Sequence, residues 1–179
     1  MDVKEHFEKY GYAIVKNMLS SEEALEAAKQ LKNIEKKGIF DGQVENATSF
    51  PKNQICNDLQ YKCLPIVEKL TGLKLFKTYT FARIYKKNSI LRTHKDRPAC
   101  EISISLDLGG DPWSLWLIDY EENGIEAKLE PGDGLLYRGC DLYHWRARFL
   151  KEEKTQVFMH YVDQNGPNAW AKGDLGQVS

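Results

Sequence analysis

Hydrophobic and polar residues alternate at two different spacings along this chain, and the change of spacing divides it in two. After Ser20, apolar residues recur at helical intervals over residues 24–34, and Gly38 ends the pattern. A second helical stretch runs from about residue 57 to 71 and is followed by a glycine. Beyond it, apolar and polar residues alternate in the two-residue rhythm of β-strands. The pattern therefore predicts helices first and a mostly β region after them.

The β region contains eight short segments rich in β-branched, aromatic and alternating apolar residues. Glycine, proline and asparagine mark turns between several of them, at 109–112, 123–124 and 131–134. The segments are LKLFKTYTFARIYKK, ILRTHKD, CEISISLDL, WSLWLID, IEAKLE, GLLYRG, HWRARF and TQVFMHYVD. So many short strands within about 90 residues are typical of a closed or double-sheet antiparallel structure such as a jelly roll.

We expect one domain over residues 1–179, mostly β with flanking N-terminal helices. Residues 1–72 form a helical support region with one short strand, and residues 73–163 form a double-stranded β-helix core of the jelly-roll or cupin type. Residues 164–179 are polar, contain glycine and are expected to form a loosely ordered tail. The polar stretch 39–56 is long for a loop and fits two interpretations equally, a lid over a pocket or a disordered surface excursion.

Composition and charge narrow the class of protein. Of the 179 residues, 42% are hydrophobic and 28% are charged, which is ordinary for one globular domain. A net charge of −1 disfavours nucleic acid as a partner, and no apolar run is long enough to cross a bilayer. The first residues lack the apolar core of a signal peptide, so a cytoplasmic protein is expected. The four cysteines form no CxxC pair and are expected to be buried, reduced thiols.

The candidate chemistry lies in the β region, where His94 and Asp96 are followed about 48 residues later by His144. Two imidazoles and one carboxylate can occupy one triangular face of an octahedral metal ion and leave the opposite three positions open, as in non-haem Fe(II) oxygenases. Because His94 and Asp96 are two residues apart, both side chains project from the same face of an extended segment. As a bare pattern His-x-Asp is weak, since a surface histidine beside a solvated aspartate gives the same letters.

Four stretches of the chain strengthen the metal interpretation because they resemble, in this order, the Fe(II)/2-oxoglutarate-dependent dioxygenases, and more narrowly their prolyl 4-hydroxylase-like branch. The stretches are YGYAIVKNMLSSEEALEAAKQL, FARIYKKNSILRTHKDRPACEISISLDL, LEPGDGLLYRGCDLYHW and KTQVFMHYVD. The resemblance implies a double-stranded β-helix and the catalytic metal ligands His94, Asp96 and His144. It also implies Fe(II), 2-oxoglutarate and O2 as cofactors, and hydroxylation of an unactivated C–H with release of succinate and CO2. The carboxylate at Asp96 fits hydroxylation rather than halogenation.

The far carboxylate of 2-oxoglutarate needs a cation inside the barrel, and two residues qualify. The resemblance places the family's basic residue at Lys154, whereas Arg146 follows the distal histidine by two and points the same way on a straight strand. The choice stays open, and a hairpin over residues 144–160 would make the two neighbours. Tyr85 corresponds to a tyrosine that helps to hold 2-oxoglutarate in relatives, although a core aromatic explains it equally well. Arg138 is a lower-ranked cation.

Three functions are compatible with these residues. The leading hypothesis is a hydroxylase acting on a small molecule or a peptidyl residue. The alternative is a catalytically silent barrel that binds metal or ligand, motivated by the unsettled cation. A zinc-dependent hydrolase is weaker, because no spare carboxylate or histidine stands close in sequence as a base. His160, in the last β segment, is expected to be a core histidine with its polar atoms satisfied. Substrate identity and oligomeric state are not indicated.

Overall fold

The computed structural model describes residues 1–176, and the helices lie mostly in the first part of the chain. The three α-helices are α1 (Val3–Tyr10), α2 (Ser21–Asn33) and α3 (Gln54–Thr71). Short 3₁₀ turns occur at Glu35–Lys37, Pro98–Cys100 and Ala169–Gly173. Ser20 and Glu23 begin α2 with a reciprocal capping box, as their spacing suggests.

The described residues form ten strands. These are β1 (Tyr12–Val15), β2 (Ala47–Pro51), β3 (Leu75–Lys86), β4 (Leu91–His94), β5 (Ile102–Gly110), β6 (Leu115–Ile118), β7 (Gly124–Ala127), β8 (Gly134–Tyr137), β9 (His144–Arg146) and β10 (Glu153–Asp163). The eight β segments expected from the sequence correspond to β3 through β10. Their alternation was therefore a sound guide to strand position.

The strands form two antiparallel sheets. The large sheet has the order β1-β8-β5-β10-β3-β2, and the small sheet has the order β4-β9-β6-β7. Apolar side chains from both sheets, including Tyr85, Phe158, Leu115 and Leu117, pack into one buried cluster between them. On its other face the large sheet packs against the apolar sides of α2 and α3. This is the jelly-roll core with flanking N-terminal helices that the sequence predicts.

The structure differs from the sequence-based expectation in two segments. Residues 1–72 contribute two strands rather than one, because β2, inside the polar stretch 39–56, pairs with β3 at the edge of the large sheet. The tail carries a 3₁₀ turn in which Ala171 is buried, and Asp174 forms an ion pair with Arg97. The final three residues, 177–179, lie outside the described part of the chain.

Residues 144–160 do not form a hairpin, because β9 belongs to the small sheet and β10 to the large one. Arg146 and Lys154 therefore reach the interior from opposite walls. Three cysteines are buried and Cys140 is partly exposed, and all four are free thiols, as predicted. None of the described helices combines the length and apolar character needed to cross a membrane.

Candidate metal centre

The two sheet positions that carry the histidines lie next to each other in the small sheet. His94 ends β4 and His144 begins β9, and the two residues are direct cross-strand partners. Asp96 follows two residues after His94, and its backbone N–H donates to the carbonyl of Gly139 at 2.8 Å. Gly139 has no room for a side chain, because a Cβ there would lie 2.6 Å from Asp96 Oδ2. The backbone thus brings three residues that are distant in sequence to one point.

The donor atoms of these three side chains converge. Asp96 Oδ1 lies 3.2 Å from His94 Nε2 and 3.5 Å from His144 Nε2. One ligand atom from each residue falls within 4.8 Å of the other two, which is a spacing that could hold a metal ion. His144 is buried, whereas His94 and Asp96 are half-buried at the cavity wall. The predicted triad is therefore brought together.

Backbone carbonyls fix the protonation of both imidazoles. His94 Nδ1 lies 2.7 Å from the carbonyl oxygen of Arg92, and His144 Nδ1 lies 2.9 Å from that of Leu142. A carbonyl oxygen only accepts, so each Nδ1 carries a proton, and each Nε2 is the nitrogen that faces Asp96. This outer hydrogen bond orients the ring and favours the tautomer that a metal ligand needs.

Electrostatics keep the carboxylate ionised. Burial by itself would raise the pKa of Asp96, but the hydrogen bonds with His144 and His94 outweigh it and hold the pKa well below its usual range. Burial would lower the pKa of His94, but its contact with Asp96 outweighs this and the pKa is raised. The cluster therefore presents an anionic oxygen between two nitrogen donors.

The triad lines a cavity of about 230 Å³. Gln43, from the segment before β2, covers it, with its Nε2 3.4 Å from His94 Nε2. Arg83 on β3 holds this segment by binding both Gln43 and Asp41. A second cavity of about 160 Å³ shares Gln43 and Arg83 with the first, as well as three other lining residues, Tyr79, Phe81 and Arg97. For the polar stretch 39–56, this arrangement favours a lid over a pocket rather than a disordered surface excursion.

The candidate cations occupy three different environments. Lys154 is buried and donates to the carboxylate of Asp107, which is also buried. Arg146 is 1% exposed, and only its Nη1 has a partner, the carbonyl of Trp113 at 2.6 Å. The guanidinium of Arg138 instead lies over the ring of Phe7 in α1, which is outside the barrel interior. The structure therefore does not bring Arg138 to the same part of the barrel as Arg146 and Lys154.

Tyr85 lies in the interior beside the cations. It is fully buried, its ring meets Trp113 edge-on at 4.9 Å between centroids, and its hydroxyl lies 3.5 Å from Nη1 of Arg83. The Arg146 guanidinium lies 5.9 Å from the Tyr85 ring centroid. Tyr85 and Arg146 therefore share one part of the barrel, and neither of them lines the metal cavity.

His160 is a core histidine as expected, but only one of its two ring nitrogens has a partner. Gln43 and Asp107 were not predicted from the sequence. His160 is buried, its Nδ1 lies 2.8 Å from Ser103 Oγ, and burial lowers its pKa to about 4. Its Nε2, however, has no partner, and the ring lines the metal cavity. A charged residue in the apolar run ISISLDL was a usable signal for Asp107. Nothing local distinguishes Gln43 from other polar loop residues.

No family model and no curated protein matches this chain, whereas solved structures do. HygX from Streptomyces hygroscopicus, with nickel, 2-oxoglutarate and hygromycin B bound, has a TM-score of 0.74 at 14% identity, covering 90% of this chain and 86% of that one. A prolyl-4-hydroxylase from Pseudomonas putida has a TM-score of 0.67 at 13% identity, covering 88% and 96%.

A third similar structure is a prolyl hydroxylase from Trichoplax adhaerens in complex with a hypoxia-inducible-factor peptide fragment. Its TM-score is 0.71 at 15% identity, covering 90% of this chain and 88% of that one. At such identities the likeness is one of fold, and it extends over nearly the whole described chain. The protein therefore has the jelly-roll fold of the iron- and 2-oxoglutarate-dependent oxygenases, the fold that prolyl hydroxylases share.

Proposed function

We propose that the protein is a non-haem Fe(II)- and 2-oxoglutarate-dependent dioxygenase that hydroxylates an unactivated C–H bond. The observation that carries this proposal is the convergence of His94, Asp96 and His144 in a cavity of the oxygenase fold. Two nitrogens and one carboxylate are the donor set that suits Fe(II) and leaves three positions open. The carbonyls that orient the two histidines and the cations of the barrel interior support the same conclusion.

His94 Nε2, His144 Nε2 and the Asp96 carboxylate would hold the iron. When bound, iron and 2-oxoglutarate supply the oxidation of a C–H bond by O2, with release of succinate and CO2. The protein contributes orientation and electrostatics. The carbonyls of Arg92 and Leu142 orient the two imidazole rings so that both Nε2 atoms point to one place.

The barrel interior offers what the cosubstrate requires. Its far carboxylate needs a buried cation, and Arg146 and Lys154 both lie there, with Tyr85 beside Arg146. Arg146 is buried with two unpartnered nitrogens, Nε and Nη2, so the interior contains donors that a carboxylate would satisfy. We propose these three residues as the cosubstrate site.

The cavities limit the size of the substrate. The metal cavity alone, about 230 Å³, is smaller than the 300–1,000 Å³ typical of drug-sized ligand pockets, and the neighbouring cavity, about 160 Å³, brings the pair to the lower end of that range. They have room for a small molecule or for one side chain of a peptide. The HygX structure holds hygromycin B and the Trichoplax structure holds a peptide fragment, so both classes occur among proteins of this fold.

The test is cosubstrate turnover by anaerobic protein loaded with Fe(II) and 2-oxoglutarate and then exposed to O2. We expect a visible charge-transfer band on chelation and succinate after O2, even without the substrate. His94→Ala and Asp96→Ala should abolish both signals. His6→Ala is the matched control, because His6 packs on Tyr10 and Tyr12 near the N-terminus. Full turnover by either ligand variant would refute the proposal.

A catalytically silent binding module is the second candidate. The ion pair of Lys154 with Asp107 favours it, because that ammonium is already engaged inside the protein. Fe(II) binding at the triad without any 2-oxoglutarate band would support this candidate instead of the oxygenase.

A further inference from the structure

The two cavities next to the triad are rich in positive charge. The metal cavity and its neighbour share five lining residues, so they adjoin each other. Apart from the triad, the charged residues that line them in the described part of the chain are four cations and one acid, namely Lys52, Arg83, Lys95, Arg97 and Asp41. Asp41 forms an ion pair with Arg83, which leaves the other cations without a balancing acid in this lining. Such a lining favours an anionic substrate over a cationic one.

Arg97 lies at the border of the two cavities, next to the metal site. It directly follows Asp96, and its side chain lines both cavities. Its carbonyl oxygen accepts from the backbone N–H of Cys100 at 2.9 Å and from Sγ of Cys140 at 3.1 Å, so its backbone is held in place. The side chain is 37% exposed, and its guanidinium lies 4.5 Å from the Tyr79 ring centroid. A solute can therefore reach this guanidinium and still lie close to the triad.

Arg97 already binds a carboxylate, which comes from the C-terminal part of the chain. Its Nη2 donates to Oδ1 of Asp174 at 3.0 Å, and its Nη1 donates to Oδ2 of the same side chain. Two parallel hydrogen bonds are the geometry with which arginine binds carboxylates in general. The Asp174 side chain is 25% exposed, and an ion pair that is so open to water contributes little free energy. The carboxylate of a substrate could therefore take the place of Asp174.

Asp174 belongs to a short segment, residues 174–176, that forms part of the wall of the second cavity. The segment follows the 3₁₀ turn Ala169–Gly173, which is anchored by the buried side chain of Ala171. Leu175 and Gly176 line the second cavity, although Leu175 is 70% exposed. The backbone N–H of Gly176 donates to Oδ1 of Asp174 at 2.8 Å, so this wall is tied to the carboxylate. Release of Asp174 from Arg97 would therefore also move the cavity wall.

On the basis of the proposed function, we infer that the substrate of this site carries a carboxylate, which Arg97 binds in exchange for Asp174. In the free protein, the segment 174–176 occupies the guanidinium and covers the second cavity. Binding of the substrate acid releases the segment and places the rest of the substrate in the two cavities, beside the triad. A carboxylate is favoured over a phosphate, because the group that Arg97 binds in the free protein is itself a carboxylate.

Trypsin cleavage after Lys172 reports release of the segment, because Lys172 is exposed and directly precedes it. The anaerobic protein is loaded with Fe(II) and a fixed concentration of 2-oxoglutarate, and mass spectrometry follows the loss of residues 173–179. Saturating cyclohexanecarboxylate should speed cleavage by about 1.4- to 5-fold, as Asp174→Asn should without any acid, whereas cyclohexanecarboxamide should not. Triglycine and its amide form a second pair of probes. A response to this pair alone would identify the carboxylate as that of a peptide end.

Calorimetric titration of the same samples gives the affinity for each probe. In Asp174→Asn the guanidinium has no competing carboxylate, so the acid should bind about 10- to 150-fold more tightly than its amide. In the unmodified protein, competition from Asp174 should weaken the acid by about 1.4- to 5-fold. Arg97→Met should remove the preference for the acid and make cleavage independent of it. Arg138→Met is the matched control and should keep the preference, because its guanidinium lies over Phe7, outside the barrel.

The outcomes separate this inference from the proposed function. Equal binding of acid and amide by Asp174→Asn, in both pairs of probes, would overturn the inference even if Arg97→Met failed to fold. A preference for the acid that survives Arg97→Met would also overturn it. Both results would leave the oxygenase proposal standing, because neither depends on oxidation. Absence of the 2-oxoglutarate band in the unmodified protein, with an intact response to the acid, would overturn the proposed function and leave Arg97 as a carboxylate site.

Discussion

The buried pair of Lys154 and Asp107 allows a sharp test of the interior electrostatics. Replacing Asp107 by leucine removes the carboxylate and leaves the ammonium of Lys154 buried without its partner. The side chains are 2% and 1% exposed, so solvent cannot take over the role of Asp107. Burial already lowers the pKa of Lys154, with Asp107 opposing the shift. The substitution removes that opposition.

The expected loss is large on the scale of protein stability. Breaking a buried pair by removing one partner costs about 3–5 kcal/mol of unfolding free energy, whereas replacing both partners by apolar residues is close to neutral or stabilising. Total unfolding free energies are only about 5–15 kcal/mol. Asp107→Leu should therefore be severely destabilised, and adding Lys154→Met should restore most of the loss.

Urea unfolding at several pH values tests this prediction, because it gives the unfolding free energy of each variant. In the single variant the folded-state pKa of Lys154 lies further below its unfolded value of about 10.4, so the unfolded state binds more protons between the two values. Stability should then rise with pH across that window, and the double variant should lack this rise. Equal midpoints for the single and double variants, with no pH dependence, would refute the assignment of a buried ion pair.

Two further predictions concern the metal site and the helix start. Gly139→Ala should displace the Asp96 carboxylate and weaken Co(II) binding by about tenfold or more, whereas Gly124→Ala should not, since nothing lies within 4 Å of its Cβ. Unchanged Co(II) affinity in the first variant would contradict the packing at Asp96. Ser20→Ala should lower the unfolding free energy by about 0.5–2 kcal/mol in urea, and Ser21→Ala by much less. Equal losses would argue against the capping box.

Local pattern predicted the elements whose two faces differ. The segments that became β3 to β10 alternate because their two faces meet different surroundings. In β5, for example, Ile104 and Leu106 pack in the cluster beside the helices, whereas Asp107 meets Lys154 in the interior. The capping box at Ser20 is a short-range signal. His94 and Asp96 could be placed on one face because their spacing is short and they end a strand. These parts of the fold and site depend on neighbours within a few residues.

The pairing of strands and side chains that are distant in sequence could not be predicted in this way. The strand β2 is short, mixes polar and apolar residues without a clear alternation, and lies at a sheet edge, so its own residues resemble a loop until β3 supplies the hydrogen bonds. The assignment of β9 and β10 to different sheets depends on the whole topology, so the local sequence could not show whether residues 144–160 form a hairpin. The partners of Lys154 and His94, namely Asp107 and Gln43, are likewise brought close only by tertiary folding.

The most direct test of the metal centre is a crystal structure of the protein with Ni(II) and 2-oxoglutarate. We predict a single ion bound by Nε2 of His94, Nε2 of His144 and the carboxylate of Asp96 at roughly 2.0–2.2 Å. The keto acid should chelate the ion from the open side. An ion bound elsewhere, or a fourth protein side chain filling the open positions, would contradict it.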